Sequence, residues 1–187
     1  MNTRWLGTIF IVGTLVHLLN GFRPNNPGDT LDTLDIIANL AWGIGGFCGI
    51  VGLIRLNALG SNTVARALGF LPMFGFAFFV LLEALRLGGF ITSGTPIRFV
   101  LASIAWLPML AGMLLVGILT IAAKTWRGWR RFVPLLAIVM YPIGYGIGSA
   151  IGSDAIGGVL VGAFWVLLGY VIATAEPAPP VQPSVTA

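Results

Sequence analysis

The sequence predicts an all-α protein, a polytopic bundle of six transmembrane helices. Of its 187 residues, 57% are hydrophobic and only 9% are charged, and the mean hydropathy is +0.97. Soluble domains carry about a quarter charged residues, so a soluble fold would not cover this much apolar surface. The charges fall in short gaps between long apolar runs. This pattern is typical of membrane proteins, and it argues against a nucleic-acid partner despite the net charge of +4.

Six uncharged runs approach or reach the length that crosses a bilayer core, which is about 20 helical residues. They cover residues 5–22, 36–54, 67–82, 99–123, 132–153 and 155–175. The third run is short, and we expect it to extend through residues 83–85. Because the runs are continuously apolar and do not alternate, they predict helices rather than barrel strands. We expect the first run to be an uncleaved span, since no small-residue cleavage site follows it.

Lysine and arginine predict the orientation, because cytoplasmic loops carry an excess of both. With both termini inside, the inner segments carry Arg4, Arg55, Arg66, Lys124, Arg127, Arg130 and Arg131, and the outer segments carry Arg23, Arg86 and Arg98. We therefore predict an N-in/C-in protein of the cell (inner) membrane. We expect residues 1–175 to form the transmembrane domain and residues 176–187 to form a disordered, proline-rich cytoplasmic tail.

The inner segment 124–132 interleaves tryptophans with cations. Tryptophan is enriched at the headgroup level of the bilayer, and cations at that level meet anionic lipids. The predicted lipid-headgroup residues are Lys124, Trp126, Arg127, Trp129, Arg130 and Arg131. Docking of a partner protein is the alternative interpretation of this segment.

Glycine is dense between residues 141 and 162, as it is in phosphate loops and in closely packed helices. This stretch lacks the lysine of a phosphate loop and does not follow a strand, as a dinucleotide fingerprint requires. In a helix, the glycines recur on one face of each of two spans, at Gly144, Gly148 and Gly152 and then at Gly158 and Gly162. Small residues at this spacing let helix axes approach closely. We therefore predict a tight antiparallel hairpin of two membrane helices.

The second span repeats this arrangement with Gly45 and Gly49. Such glycine faces serve packing within the chain or against another subunit, and their abundance favours partners. The leading functional hypothesis is therefore a non-catalytic accessory or scaffold subunit that packs through glycine-rich helix faces in a larger membrane complex. Its partners are the lipid bilayer and other membrane subunits.

Polar side chains in or beside the spans lie mostly toward the predicted outer leaflet. Ionisable groups are costly in a bilayer, so each one is a site hypothesis. The members of this polar cluster are His17, Asn20, Asp35, Asn39, Glu83 and Arg86. If the first three helices pack together, the cluster lines one outward-facing pocket. This is the basis of the alternative function, a small carrier or binding protein for a lipid, pigment or other apolar molecule. In the simpler interpretation, Glu83 and Arg86 form an interfacial ion pair.

His17 is the only histidine, and a single imidazole is able to hold a haem or chlorophyll-type pigment axially. A hydrogen bond from His17 to a neighbouring helix is the simpler interpretation. The carboxylates of Asp29, Asp32 and Asp35 fit the first turn of a helix better than a cation site. The sequence contains no HExxH, no GxSxG and no Cys–His pair, so we do not predict an enzyme or a metal site.

Overall fold

The computed structural model describes residues 2–22, 33–91 and 95–176, and the regular elements in these ranges are all helical. They are α1 (Thr3–Asn20), α2 (Thr33–Arg55), α3 (Thr63–Leu68), α4 (Phe70–Leu87), α5 (Pro96–Ala123), a 3₁₀ helix (Gly128–Phe132), α6 (Val133–Ala150) and α7 (Asp154–Thr174). The predicted tail beyond Glu176 lies outside the described residues, as do Arg23, Asp29 and Asp32.

Five helical stretches are long and apolar enough to cross a membrane. They are Thr33–Arg55, Thr63–Leu87, Pro96–Ala123, Gly128–Ala150 and Ala155–Thr174. The chain is therefore a membrane-embedded, all-helical protein in the part that the structure describes. Helix α1, with 18 residues, is not among these five stretches.

The third predicted span is not one uninterrupted helix. Helix α3 ends at Leu68 and α4 begins at Phe70, with Gly69 between them. Pro72 lies in the first turn of α4, where the missing N–H would have no helical partner in any case. By contrast, Pro108 and Pro142 lie inside α5 and α6, where each removes a helical hydrogen bond.

Helices that follow one another along the chain pack side by side, and α1 also packs against α7. Along the α1–α7 pair, Gly7 lies against Gly169 and Ala173, and Leu18 lies against Gly162. The residue numbers rise in α1 as they fall in α7, so the two helices are antiparallel. The long helices therefore form a ring in the order α1, α2, α4, α5, α6, α7.

The glycines explain how closely these helices approach. A Cβ atom at Gly75 of α4 would lie 2.6 Å from the backbone nitrogen of Met109 in α5. One at Gly144 of α6 would lie 3.0 Å from the carbonyl oxygen of Gly157 in α7. Glycine is required at such positions because the facing atoms belong to the backbone and have little room to move.

The predicted glycine faces therefore pack largely inside the chain. Gly45 and Gly49 lie against Phe10 of α1. Gly144 and Gly148 lie against Gly157, and Gly162 lies against Leu18. Two glycines differ from the prediction. Gly152 does not belong to a helix face, because α6 ends at Ala150 and Gly152 lies in the following turn with φ +69°. A Cβ atom at Gly158 would meet nothing within 4 Å.

We call one end of the ring the cationic end, because most of the cations lie there. It comprises the start of α1, the ends of α2, α5 and α7, and the 3₁₀ helix. Thr125 Oγ1 donates a hydrogen bond to the carbonyl of Ala58 at 3.0 Å, which joins the segment after α5 to the turn after α2. Arg130 approaches the carbonyl of Thr174 at the end of α7.

The interior of the cationic end is filled by apolar side chains. The buried residues there include Leu56, Ala58, Leu59, Val116, Trp126 and Val133. The opposite end of the ring is open, and we call it the cavity end.

Candidate functional site

A cavity of about 420 Å³ opens at the cavity end, and all six long helices contribute to its wall. Its lining includes Thr14 and His17 from α1, Asn39 and Trp42 from α2, Phe79 and Glu83 from α4, Arg98 and Trp106 from α5, Tyr141 and Tyr145 from α6, and Gly158 and Trp165 from α7. Small residues leave this space open. Gly158 lines the cavity, and a Cβ atom there would meet nothing within 4 Å.

Aromatic rings form the floor of the cavity. The indole of Trp42 lies at the centre, with ring centroids 5.6 Å from Trp106, 5.5 Å from Trp165 and 5.4 Å from Phe79. Phe76 lies against Trp42 in an edge-on arrangement. Offset and edge-on aromatic contacts of this kind are individually favourable and rigid. The floor therefore separates the cavity from the apolar core of the cationic end.

Three buried polar atoms in the cavity wall have no hydrogen-bond partner among the described residues. They are Thr14 Oγ1, His17 Nδ1 and Trp165 Nε1. Thr14 is 3% exposed and Trp165 is 2% exposed. Buried polar groups are usually hydrogen-bonded, and each exception needs an explanation. Trp126 Nε1 and Arg131 Nε, at the cationic end, are also buried without a described partner, so such atoms are not confined to the cavity wall.

His17 lies between α2 and the cavity. Its ring stacks on the indole of Trp42 with centroids 5.4 Å apart, and its side chain forms a hydrogen bond with Asn39. Asn39 of α2 is thus the neighbour from which the expected interhelical hydrogen bond of His17 would come. Its role as an axial ligand for haem or a chlorophyll-type pigment stays a prediction.

Glu83 and Arg86 form a buried ion pair at the cavity wall. The Arg86 guanidinium donates to both carboxylate oxygens of Glu83, at 2.6 and 2.5 Å. Glu83 lines the cavity and Arg86 lies behind it. Arg98 of α5 lines the cavity as well and interacts electrostatically with both members of the pair. Within the described ranges, the Arg98 guanidinium makes no ion pair.

The structure brings part of the predicted polar cluster to the cavity. His17, Asn39 and Glu83 line it. Asn20 donates a hydrogen bond to Asp35 at 2.6 Å, so these two side chains connect α1 to α2 beside the cavity rather than within it.

The main cavity residues that the sequence analysis missed are Arg98 and the aromatic floor. The indoles and phenols lie within uncharged runs, where they cannot be told from lipid-facing residues. The signal in the sequence was Arg98 itself, an outer cation that follows Glu83 and Arg86 within the same pair of spans. Its role depends on α5 packing against α4, which the charge pattern does not specify.

The predicted headgroup residues lie at the cationic end, with one correction. Trp126 is only 7% exposed and belongs to the apolar core, so it is not placed to contact lipid headgroups. Trp129 is 53% exposed. Arg131 lies over the ring of Phe132 at 4.7 Å. The interfacial prediction therefore applies to Lys124, Arg127, Trp129, Arg130 and Arg131 and no longer to Trp126.

The cavity lining combines aromatic rings with a few polar and charged side chains. Among the described residues, no three His, Cys, Asp or Glu side chains come together as metal ligands. Glu83 is held by Arg86 and is not poised as a free base. Comparison with known proteins adds no function, because no family model matches the chain and no curated protein or solved structure is significantly similar to it.

Proposed function

We propose that this chain is a non-catalytic membrane protein that binds a small amphipathic molecule in the cavity. The observation that carries this proposal is a cavity of about 420 Å³ inside the helix ring, whose lining residues include three with a buried polar atom that has no described partner: Thr14, His17 and Trp165. A buried polar group left without a partner costs about 1–3 kcal/mol. A ligand with polar atoms at these positions removes that cost.

The size and wall of the cavity support a small-molecule ligand. Small-molecule sites typically enclose about 300–1,000 Å³ and are lined by apolar and aromatic side chains with a few polar groups. The cavity volume of about 420 Å³ falls in this range. Ordered water also satisfies buried polar groups, and the experiment below separates water from a ligand.

The abundance of glycine no longer favours the accessory-subunit hypothesis. Gly45, Gly49, Gly144, Gly148 and Gly162 all face other parts of the same chain. Their abundance therefore supports close packing within the ring and gives no support to partners. Assembly with other membrane subunits stays a prediction, and the experiment below tests it too.

We further propose that α1 is a sixth span. It runs alongside α7 from Gly7 to Leu18 and packs against α2 through Phe10. Because α1 lies alongside the candidate spans α2 and α7 over most of its length, we propose that it lies at the same depth in the bilayer.

The cations support the proposed N-in/C-in orientation in the cell membrane. They gather at the cationic end, where the segments before α1, after α2 and after α5 come together. The positive-inside rule assigns this end to the cytoplasm. The cavity then faces the outer side of the membrane.

The test is native mass spectrometry of the protein extracted from its own membrane in a mild detergent. We expect a bound small mass in the wild-type protein and in Gly146→Leu, and its loss in Gly158→Leu. A Cβ atom meets nothing within 4 Å at either glycine, but only Gly158 lines the cavity.

Two outcomes would overturn the proposal. One is a wild-type spectrum at the bare mass of the chain, which would assign the cavity to water. The other is a bound mass that persists in Gly158→Leu. A spectrum dominated by other polypeptides would instead support the accessory-subunit hypothesis.

A further inference from the structure

We infer that the ligand is an amphiphile with an anionic oxygen head and one hydrocarbon chain, held with its head at Arg98 and its chain leaving sideways between α5 and α6. This inference rests on the proposed function, because it names the class of molecule that the cavity binds. Two independent features carry it. The first is the donor-rich lining of the cavity, and the second is an apolar groove that adjoins it.

The cavity lining offers donors that need acceptors. The indole Nε1–H of Trp165 donates and never accepts, and the same holds for the guanidinium of Arg98. The hydroxyl of Thr14 is also able to donate. Trp165 Nε1 and Thr14 Oγ1 are buried without a partner in the described part of the chain. A head group rich in acceptor oxygens satisfies these groups, whereas an ammonium head does not.

Charge favours an anionic head on the α5 side of the cavity. Glu83 is held at 2.6 and 2.5 Å by Arg86, and Asp35 accepts a hydrogen bond from Asn20, so these two acids are engaged. Arg98 is the cation that lines the cavity, and it makes no ion pair among the described residues. It lies in the first turn of α5, where the helix dipole also favours a negative charge. A charge-assisted hydrogen bond to this guanidinium is stronger than one between neutral groups.

The path of the chain follows from a groove of about 720 Å³ on the lipid-facing side of α5 and α6. Tyr141 and Tyr145 line both this groove and the cavity, so the two spaces adjoin. The remaining lining is apolar and consists of Leu110, Ala111, Leu114, Ile138, Val139 and Pro142. Such a surface fits a hydrocarbon chain.

The packing of α5 and α6 explains why the groove opens at this level. Near the cationic end, the two helices touch, since a Cβ atom at Gly117 would lie 2.6 Å from Leu135 Cα. Toward the cavity end, large rings separate them, with the centroids of Trp106 and Tyr141 5.8 Å apart. In our inference, the chain passes beside these rings to the bilayer and does not cross the closed core.

The experiment for the head group uses quenching of tryptophan fluorescence by brominated probes in nanodiscs. The probes are a brominated fatty acid and the brominated alcohol of the same chain length. The variants are Arg98→Gln and the matched control Arg127→Gln, which removes a cation from the other end of the ring. We expect the acid to bind about tenfold more tightly than the alcohol in the wild-type protein, because a hydrogen bond to a charged group is worth about that factor. The preference should disappear in Arg98→Gln and persist in Arg127→Gln.

Carboxylate and phosphate heads share this chemistry, so a lysophosphatidate of equal chain length is compared with the fatty acid. Saturable binding of either one supports the anionic head, and the tighter binder identifies it. Equal binding of acid and alcohol in both wild-type protein and Arg98→Gln overturns the anionic head but leaves the proposed function in place. If no probe quenches saturably and Gly158→Leu behaves as wild type, both the inference and the proposed function fail.

The lateral path has its own variant. Ala111→Phe fills the groove, and Ile118→Phe places the same aromatic ring on α5 outside it. We expect Ala111→Phe to weaken stearate severalfold and to leave octanoate unchanged, and Ile118→Phe to change neither. The lateral path is overturned if Ala111→Phe leaves stearate binding at the wild-type level. It is equally overturned if Ala111→Phe releases a co-purified polypeptide, since the groove would then be a protein interface.

Discussion

The interior of the ring is packed differently at its two ends. At the cationic end, Trp126 and Val116 fill the interior, and the buried Thr120 hydroxyl donates to the carbonyl of Val116 at 2.8 Å. At the cavity end, the buried Thr14 hydroxyl has no such partner among the described residues, and Thr14 lines the cavity. The interior of the cationic end is filled by side chains, although Trp126 Nε1 is buried there without a described partner. The cavity end instead encloses about 420 Å³ of open space, so the contrast in packing assigns stability to one end and, in our proposal, binding to the other.

The largest expected difference between the ends concerns charge. Glu83→Gln should lower the free energy of unfolding by about 3–5 kcal/mol, because it leaves the buried Arg86 without its counter-charge. At the cationic end, Arg127 is exposed, and Arg127→Gln should change that free energy by no more than about 0.5 kcal/mol.

Denaturation in a mixed-micelle titration measures both variants. The double variant Glu83→Gln/Arg86→Gln should recover part of the loss, since no unpaired charge then remains. Equal, small effects of Glu83→Gln and Arg127→Gln would show that the pair at the cavity end is solvated, and the contrast in charge burial would fail.

One substitution made at both ends should have opposite results. Gly117→Leu should destabilise the protein by about 1–3 kcal/mol, because the new side chain meets the backbone of Leu135, which has little room to move. Gly158→Leu should leave stability unchanged or raise it, since its side chain enters the cavity and leucine favours a helix over glycine.

The melting temperatures of the two variants in the same detergent make this comparison. Comparable destabilisation by both would mean that the region around Gly158 is as tightly packed as the cationic end. The account of the cavity would then be wrong.

The smallest expected effect concerns the paired threonines. In protein stripped of bound lipid, Thr14→Val should raise the free energy of unfolding by about 1 kcal/mol, because it removes a buried hydroxyl without a described partner. Thr120→Val should lower it by about 0.5–1 kcal/mol, because it deletes a made hydrogen bond. Threonine and valine have similar shapes, so the difference between the two effects isolates hydrogen bonding.

Chemical denaturation of the two variants side by side gives the sign of each change in the free energy of unfolding. If Thr14→Val is as destabilising as Thr120→Val, the Thr14 hydroxyl is already satisfied within the chain. The strongest support for a ligand would then be lost.

Much of the helical pattern followed from the sequence because bilayer thickness sets the length of apolar runs. The run 99–123 corresponds to α5 at Pro96–Ala123, and the run 36–54 corresponds to α2 at Thr33–Arg55. Ends of helices were less predictable. Gly152 continued the four-residue spacing of Gly144 and Gly148, yet it lies in a turn with φ +69°. Spacing alone does not distinguish a glycine that packs a helix from one that ends it.

The cavity was only partly predictable, because it depends on contacts between distant helices. Polar residues such as His17 and Glu83 attract notice in any apolar run. Trp165 did not, because an indole in the last span is equally compatible with lipid exposure. Its position in the cavity wall follows from α1 packing against α7 and closing the ring. No local pattern encodes that contact.

The most direct test of the central claim is a crystal structure of the wild-type protein, extracted from its own membrane and grown in a lipidic mesophase without exchange of bound lipid. The account predicts continuous elongated density in the cavity, within hydrogen-bond distance of Trp165 Nε1 and Thr14 Oγ1. Separate water peaks at those two atoms, with no elongated density, would contradict it and assign the cavity end to solvent.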